Sequence, residues 1–173
     1  ERSVRIPREM VEWAIKAAPK RIQIYDRRGN PQFTIGDKED RLRFGIGVTA
    51  LYYQDPMTDT PELFQRKHMQ DMVRLGNKLP HYDMVSTVGI VRDVPEHLTD
   101  VYGSLEHFAN GTKPMVLLVS DEHKFDDVLR MFELLHGDLG EKPFIIPYFN
   151  PVSPLVMNEG TVDKMKMSAE RGL

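Results

Sequence analysis

Pro114-Met115-Val116-Leu117-Leu118-Val119-Ser120 is an unbroken apolar run. Asp121 follows, then Phe125, Val128, Leu129, Phe132 and Leu135 at helical spacing, and then a second apolar run, Phe144-Ile145-Ile146-Pro147-Tyr148-Phe149-Asn150-Pro151. A strand covered on both faces reads as a continuous apolar run, and a helical pattern between two such runs predicts a crossover that makes them parallel. Toward the C-terminus a polar joint leads to a helix from about Gly160 to Arg171, with Gly172 as its stop. Toward the N-terminus the same unit recurs twice. Met84-Val85-Ser86-Thr87-Val88-Gly89-Ile90-Val91 ends at Arg92-Asp93-Val94-Pro95 and precedes a helix from about Glu96 to Asn110, closed by Gly111. The run from Arg43 to Tyr53 leads into Gln54-Asp55-Pro56, and Thr60-Pro61-Glu62 predicts the start of a helix reaching Gly76.

Four strand-helix units at intervals of roughly 30 residues define an α/β fold. No Gly-x-Gly-x-x-Gly follows the first strand, since Gly45 and Gly47 fall inside the run, so a (β/α)8 barrel of the TIM type is preferred to a doubly wound sheet. A full barrel takes about 250 residues. Residues 41–173 are therefore expected to form the first half of one, with parallel edges that missing sequence or a partner chain must cover. Residues 1–40 stand apart. Met10, Val11, Trp13, Ala14 and Ala17 predict a short helix ended by Ala18-Pro19, and the segments Arg21–Asp26 and Gln32–Ile35 around Arg28-Gly29-Asn30-Pro31 predict a hairpin outside the barrel proper. Opening on Glu1 without an initiator Met and stopping at Gly172-Leu173 where a next strand is due, the chain is expected to be cut from a longer one; a mature protein trimmed at its N-terminus is the alternative.

Composition narrows the function. The 173 residues carry a formal charge of -3 with both signs spread along the chain, which leaves no basic stripe for nucleic acid. With no Cys there is no disulfide framework, thiolate metal site or cysteine nucleophile, and a cytoplasmic location is expected. No apolar stretch reaches bilayer length, and no membrane partner is expected. The six His show no paired zinc spacing and read as solvated surface groups. Lys164 and Lys166 read as an exposed helix face, and the Met residues as core filler.

In this architecture chemistry sits where strands end. Those ends offer Tyr52, Tyr53, Gln54 and Asp55, then Arg92 and Asp93, then Ser120 and Asp121, then Tyr148, Asn150 and Ser153.

The ordered segments Phe44-Gly45-x-Gly47, Leu75-Gly76-Asn77-Lys78-Leu79-Pro80, Val91-Arg92-Asp93-Val94-Pro95, Gly111-Thr112-Lys113-Pro114 and Asn150-Pro151-Val152-Ser153-Pro154-Leu155 resemble the trimethylamine methyltransferase superfamily. Within it the chain looks most like the non-pyrrolysine branch acting on quaternary amines such as glycine betaine. The resemblance covers nearly the whole chain. It implies a barrel enzyme that passes a methyl group from a methylated amine to the cobalt of a corrinoid (cobalamin) carried by a separate partner protein, with no metal bound by this chain.

A quaternary ammonium has no proton to donate, so aromatic faces and negative charge must recognise it, and Tyr52, Tyr53 and Tyr148 are candidate walls. A betaine carboxylate needs a cationic fork, for which Arg92 is the first choice. Gln54, Asp93, Asn150 and Ser153 complete the candidate substrate-binding set, and no catalytic nucleophile is assigned. Each has a structural reading too. Tyr52 and Tyr53 are neighbours and face opposite ways on a strand; Arg92-Asp93 fits a loop ion pair or helix cap; Asp121 fits a cap; Asn150-Pro151 and Ser153-Pro154 fit rigid turns. The rival functions are a non-catalytic half-barrel or small-molecule-binding module completed by another chain, and a Schiff-base barrel enzyme. The last wants a strand-end Lys, which none of the four runs supplies.

Overall fold

The computed structural model describes residues 4–36, 41–154 and 156–173. In chain order it contains α1 (Arg8–Ala17), β1 (Ile22–Tyr25), β2 (Pro31–Ile35), β3 (Tyr52–Gln54), β4 (Pro61–Leu63), α2 (Arg66–Lys78), β5 (Val85–Ser86), α3 (Thr99–Asn110), β6 (Met115–Leu117), α4 (Phe125–His136), β7 (Ile145–Pro147) and α5 (Glu159–Glu170). Single 3-10 turns at Glu96–Leu98 and Glu122–Lys124 lead into α3 and α4. The α/β expectation holds.

The strands β5, β6 and β7 form one parallel sheet in sequential order, with Val85 beside Met115 and Met115 beside Ile145. The segment before β5 continues this order through isolated parallel bridges, Gly45 to Met84 and Ala50 to Gly89. It is not the long regular strand expected over 43–53. Its last residues, Tyr52–Gln54, turn away and pair antiparallel with Pro61–Leu63. The reversal is made by Asp55, whose carboxylate accepts from the Met57 and Thr58 amides at 2.8 and 3.0 Å. Thr60-Pro61 is therefore a strand entry and not the expected helix start. The helix opens at Arg66, where the Gln65 N–H donates to His68 Nδ1 at 3.0 Å and Asp93 Oδ1 accepts from the Arg66 N–H at 2.9 Å. Among the described residues no barrel closes.

The core lies between the sheet and its helices. On α4, Phe125, Val128, Leu129 and Phe132 recur at i, i+3, i+4 and i+7 and are at most 1% exposed. Burying each contributes about 1.5–3 kcal/mol. They pack on Met115, Leu117 and Phe144 from the sheet, and a second cluster of Phe64, Met69, Val73, Val85, Val88 and Val91 lies under α2. The approach of α2 to β5 and α3 is close enough to dictate glycine. A Cβ on Gly111 would lie 2.8 Å from the Val73 side chain, so this helix stop is set by packing while its backbone is extended. Along β6 the burial alternates, Met115 and Leu117 buried under the helices and Val116 half-buried on the opposite face.

The amino ends of the strands are sewn together. Asn77 Oδ1 accepts from Thr112 N at 2.9 Å, Thr112 Oγ1 at 3.2 Å and Lys113 N at 3.1 Å, and Lys113 Nζ donates to the Gly76 and Leu79 carbonyls at 3.0 and 2.6 Å. The β1–β2 hairpin seals the same end. Tyr25 N–H donates to Pro143 O, Arg27 N–H to Thr112 O, and Arg27 Nε to Gly111 O, while the Arg27 guanidinium rests 4.6 Å from the Phe108 ring centre. By contrast α1 buries no residue, leaving Met10, Trp13 and Ile15 exposed.

Two sequence expectations about single residues are overturned. His68 and His107 are 3% and 2% exposed and are not surface groups. His107 Nε2 lies 2.9 Å from Val85 O, tying α3 to β5. Lys164 is half-buried, and its Nζ donates to Val119 O at 3.1 Å, at the carboxyl end of β6.

Candidate functional site

Parallel strands running side by side bring the loops that follow them to one edge of the sheet. At the carboxyl ends of β5 and β6 lies an open groove of about 600 Å³, lined by Ile90, Arg92, Glu96, His97, Thr99, Asp100, Ser120 and Asp121. A much smaller recess of about 10 Å³ shares Ile90, Thr99, Asp100 and Ser120 with it and adds Thr87, Gly89, Gly103 and Ser104.

Arg92 is placed by its own backbone, whose N–H donates to Phe64 O at 2.8 Å. Its side chain is exposed, and among the described residues the guanidinium has no carboxylate partner. It is a cationic fork facing a groove with its donors free. Asp100, in the first turn of α3, is half-buried and accepts from the Asp121 N–H at 2.8 Å. Burial raises its pKa above the ordinary carboxylate value. The Asp121 and Ser120 amides oppose that rise, the neighbouring Asp121 charge adds to it, and Lys164 opposes it. The carboxylate of Asp121 caps the following turn by accepting from His123 N at 3.0 Å. Of the remaining candidates from this edge, Ser120 lines both cavities and Asp93 is engaged on the first amide of α2.

The other expected site residues do not line this groove. Tyr53 is half-buried and stacked on His68, with ring centres 4.1 Å apart and planes within 8°. His68 Nε2 is in turn 3.2 Å from Glu62 Oε1, so the β3–β4 hairpin is held against α2 through this imidazole. Tyr52, its neighbour, is 63% exposed. Gln54 Nε2 donates to Asp59 Oδ1 across the hairpin turn. Tyr148 is 44% exposed, its N–H donating to Leu117 O, and Asn150 and Ser153 are exposed in the joint before α5. Among the described residues no group of three or more His, Asp or Glu is placed to hold a metal ion, and no helix is long and apolar enough to cross a membrane.

Sequence reasoning missed Asp100, Glu96, His97 and Lys164. Glu96 and Asp100 read as ordinary first-turn acids of a helix, favoured there by the helix dipole whatever else they do. Lys164 belongs to a helix and not to a strand end. Nothing in its local sequence says that α5 folds back far enough to place its ammonium on β6.

The elements define an α/β protein whose polar groove sits at the carboxyl edge of a parallel sheet, the position of catalytic and binding sites in that class. The family described as trimethylamine methyltransferase (MTTB) matches residues 1–173, and the chain belongs to it. The trimethylamine methyltransferase MttB of Desulfitobacterium hafniense (strain DSM 10664 / DCB-2) is 26% identical over 156 residues, covering 88% of this chain and 31% of that relative. The chain thus spans about a third of the length of the curated relative it matches.

Proposed function

We propose that the protein containing this chain is a methyltransferase that moves a methyl group from a methylated amine, of the glycine betaine or trimethylamine class, to the cob(I)alamin of a partner corrinoid protein. The observation that carries this reading is the family match over residues 1–173. Residues 41–173 form the first half of a (β/α)8 barrel, preceded by an accessory helix and hairpin in 1–40. Two features support the half-barrel: the sequential parallel order from the Gly45 segment through β7, and the half-buried Val116 on a sheet face that parallel strands normally cover. A cytoplasmic location suits the absence of Cys and the reduced cobalt that such chemistry uses.

The partner's corrinoid supplies the nucleophile, so the residues of this chain bind and orient. The free Arg92 guanidinium grips a betaine carboxylate through two parallel hydrogen bonds. That anchor fixes where the ammonium lies, and orientation is the main contribution a protein makes to an in-line displacement. From a quaternary ammonium such as glycine betaine, nitrogen leaves with the electron pair of the broken C–N bond as a neutral tertiary amine and needs no proton; trimethylamine has to react as its protonated ammonium, so that it leaves as neutral dimethylamine. Tyr52, Tyr53 and Tyr148, together with Gln54, Asp93, Asn150 and Ser153, form the outer wall of the site once the whole protein encloses it; Tyr53 is the best fixed, clamped by its stack on His68.

A second reading, a non-catalytic half-barrel or small-molecule-binding module completed by another chain, is favoured by the open sheet face and by the lack of any buried residue on α1. Calorimetric titration of glycine betaine and trimethylamine into this chain and into the whole protein that carries it separates the two. Saturable betaine binding by the whole protein, lost in Arg92→Ala, is the expected result. A folded whole protein that takes neither amine refutes the methyltransferase reading.

A further inference from the structure

We infer that Asp100 is a ligand-binding carboxylate that receives the cationic head of the bound amine, with one ordered water in the recess joining it to Ser104 Oγ. The inference rests on the amine-binding reading of the groove. Three carboxylates line that groove, Glu96, Asp100 and Asp121. Asp121 is committed to the cap on His123, and Glu96 stands exposed at the rim, where water screens it. Asp100 and Asp121 are both half-buried, but of the three only Asp100 lines the recess as well as the groove; its carboxylate accepts from the Asp121 amide at 2.8 Å and still has lone pairs to offer. A charge that burial disfavours gains most from a counter-cation, because the effective dielectric beside it is low. Lys164 is the cation already nearby, but its ammonium is directed to Val119 O.

The recess supplies an independent observation. Ser104 follows Asp100 by one turn on the same face of α3, is 1% exposed, and its Oγ has no hydrogen-bond partner. Burying a hydroxyl unpaired is unfavourable, and such groups are normally satisfied by protein or water. The recess beside it measures about 10 Å³, roughly the room one water needs, and a water there has polar neighbours in Ser104 and Asp100. A water donating to Asp100 favours the charged form of the carboxylate and leaves its other face for the groove.

The test uses the whole protein and three probes at constant ionic strength: tetramethylammonium, a cation without a carboxylate; acetate, a carboxylate without a cation; and glycine betaine. Asp100→Asn keeps an oxygen for the Asp121 amide and removes the charge. It is expected to weaken tetramethylammonium and betaine roughly tenfold while leaving acetate within about twofold. Arg92→Ala is expected to do the reverse, weakening acetate and betaine and sparing tetramethylammonium. A misfolded variant would lose all three probes, and Ser104→Ala then carries the question, since it changes one oxygen: severalfold weaker cation binding is expected. Cation affinity unchanged in Asp100→Asn, or in Ser104→Ala where the first variant misfolds, overturns the inference. If betaine binding by the unsubstituted protein is abolished by Arg92→Ala and untouched by Asp100→Asn, the inference alone fails. If the unsubstituted protein takes none of the probes, the amine-binding reading fails, and the inference with it.

Discussion

Asn77→Ala should unfold the amino-end seam that joins α2 to β6. Three donors converge on Asn77 Oδ1: the amides of Thr112 and Lys113 and the Thr112 hydroxyl. The hydroxyl can turn to water when its acceptor is lost, but the two part-buried amides are fixed by the chain direction into β6. Each such bond contributes about 0.5–1.5 kcal/mol net, and a stranded amide costs more. Alanine is the better helix former in the last turn of α2 and recovers about 0.5 kcal/mol. The expected loss is about 2 kcal/mol, or a midpoint lower by roughly 4–8 °C for a domain of this size. Equilibrium urea unfolding followed by circular dichroism measures it. Asn77→Asp is the control, since a carboxylate accepts the same three donors; its loss should stay within about 0.5 kcal/mol. A loss under about 0.5 kcal/mol in Asn77→Ala, or equal losses in the two variants, would refute the reasoning.

Three further outcomes follow from single contacts. A Cβ on Gly89 would lie 2.6 Å from the Phe64 ring, which is 1% exposed, so Gly89→Ala should cost about 1–3 kcal/mol by urea unfolding. His107 is buried and its pKa is lowered by that burial from 6.5 to about 4. The unfolded chain therefore binds the extra proton first, and stability that is full above about 6.5 declines as pH falls toward 4. His107→Gln, neutral throughout and still able to donate to Val85 O, should show a shallower decline in urea titrations at successive pH values; equal slopes would remove His107 from the account. Asp93→Ala removes the acceptor of the first amide of α2 and should cost about 1 kcal/mol of stability in urea unfolding; no measurable loss would show that the cap at Arg66 contributes nothing.

Legibility in the sequence followed the range of the forces involved. The runs at Met84, Pro114 and Phe144 and the helices after them announce themselves because burial imposes a period on contiguous residues, and β5, β6, β7, α3, α4 and α5 lie where that period puts them. The β3–β4 hairpin did not. Thr60-Pro61 is good helix-start chemistry locally, and what overrides it is an Asx turn at Asp55 together with a cap built by His68 three residues into the next helix and by Asp93, 27 positions away. The buried histidines failed for the same reason, since an imidazole reads as polar until its partners, Glu62 and Val85 O, are in place. Within the candidate site, Arg92 was legible as a charged residue at a strand end. Asp100 was hidden by the ordinariness of an acid in the first turn of a helix.

The motifs that carry the family likeness are in large part fold-keeping devices, which bears on how the chemistry should be sought. Leu75–Pro80 and Gly111–Pro114 are two halves of one contact, Asn77 and Lys113 each serving the other's segment, with Gly111 making room for Val73. In Val91–Pro95, Asp93 is spent on the α2 cap and the Arg92 backbone on Phe64 O, leaving the Arg92 guanidinium as the one charged group of that motif still free. Geometry thus separates what a motif holds up from what it presents. At the carboxyl edge, among the described residues, the groups left to present are the Arg92 guanidinium, the half-buried Asp100 carboxylate shared by groove and recess, and the buried Ser104 hydroxyl without a partner beside a recess the size of a water. Opposite charges lining one groove suit a ligand that is itself of both signs, and the affinities of single-charge probes can apportion that fit between Arg92 and Asp100 in a way that activity alone cannot.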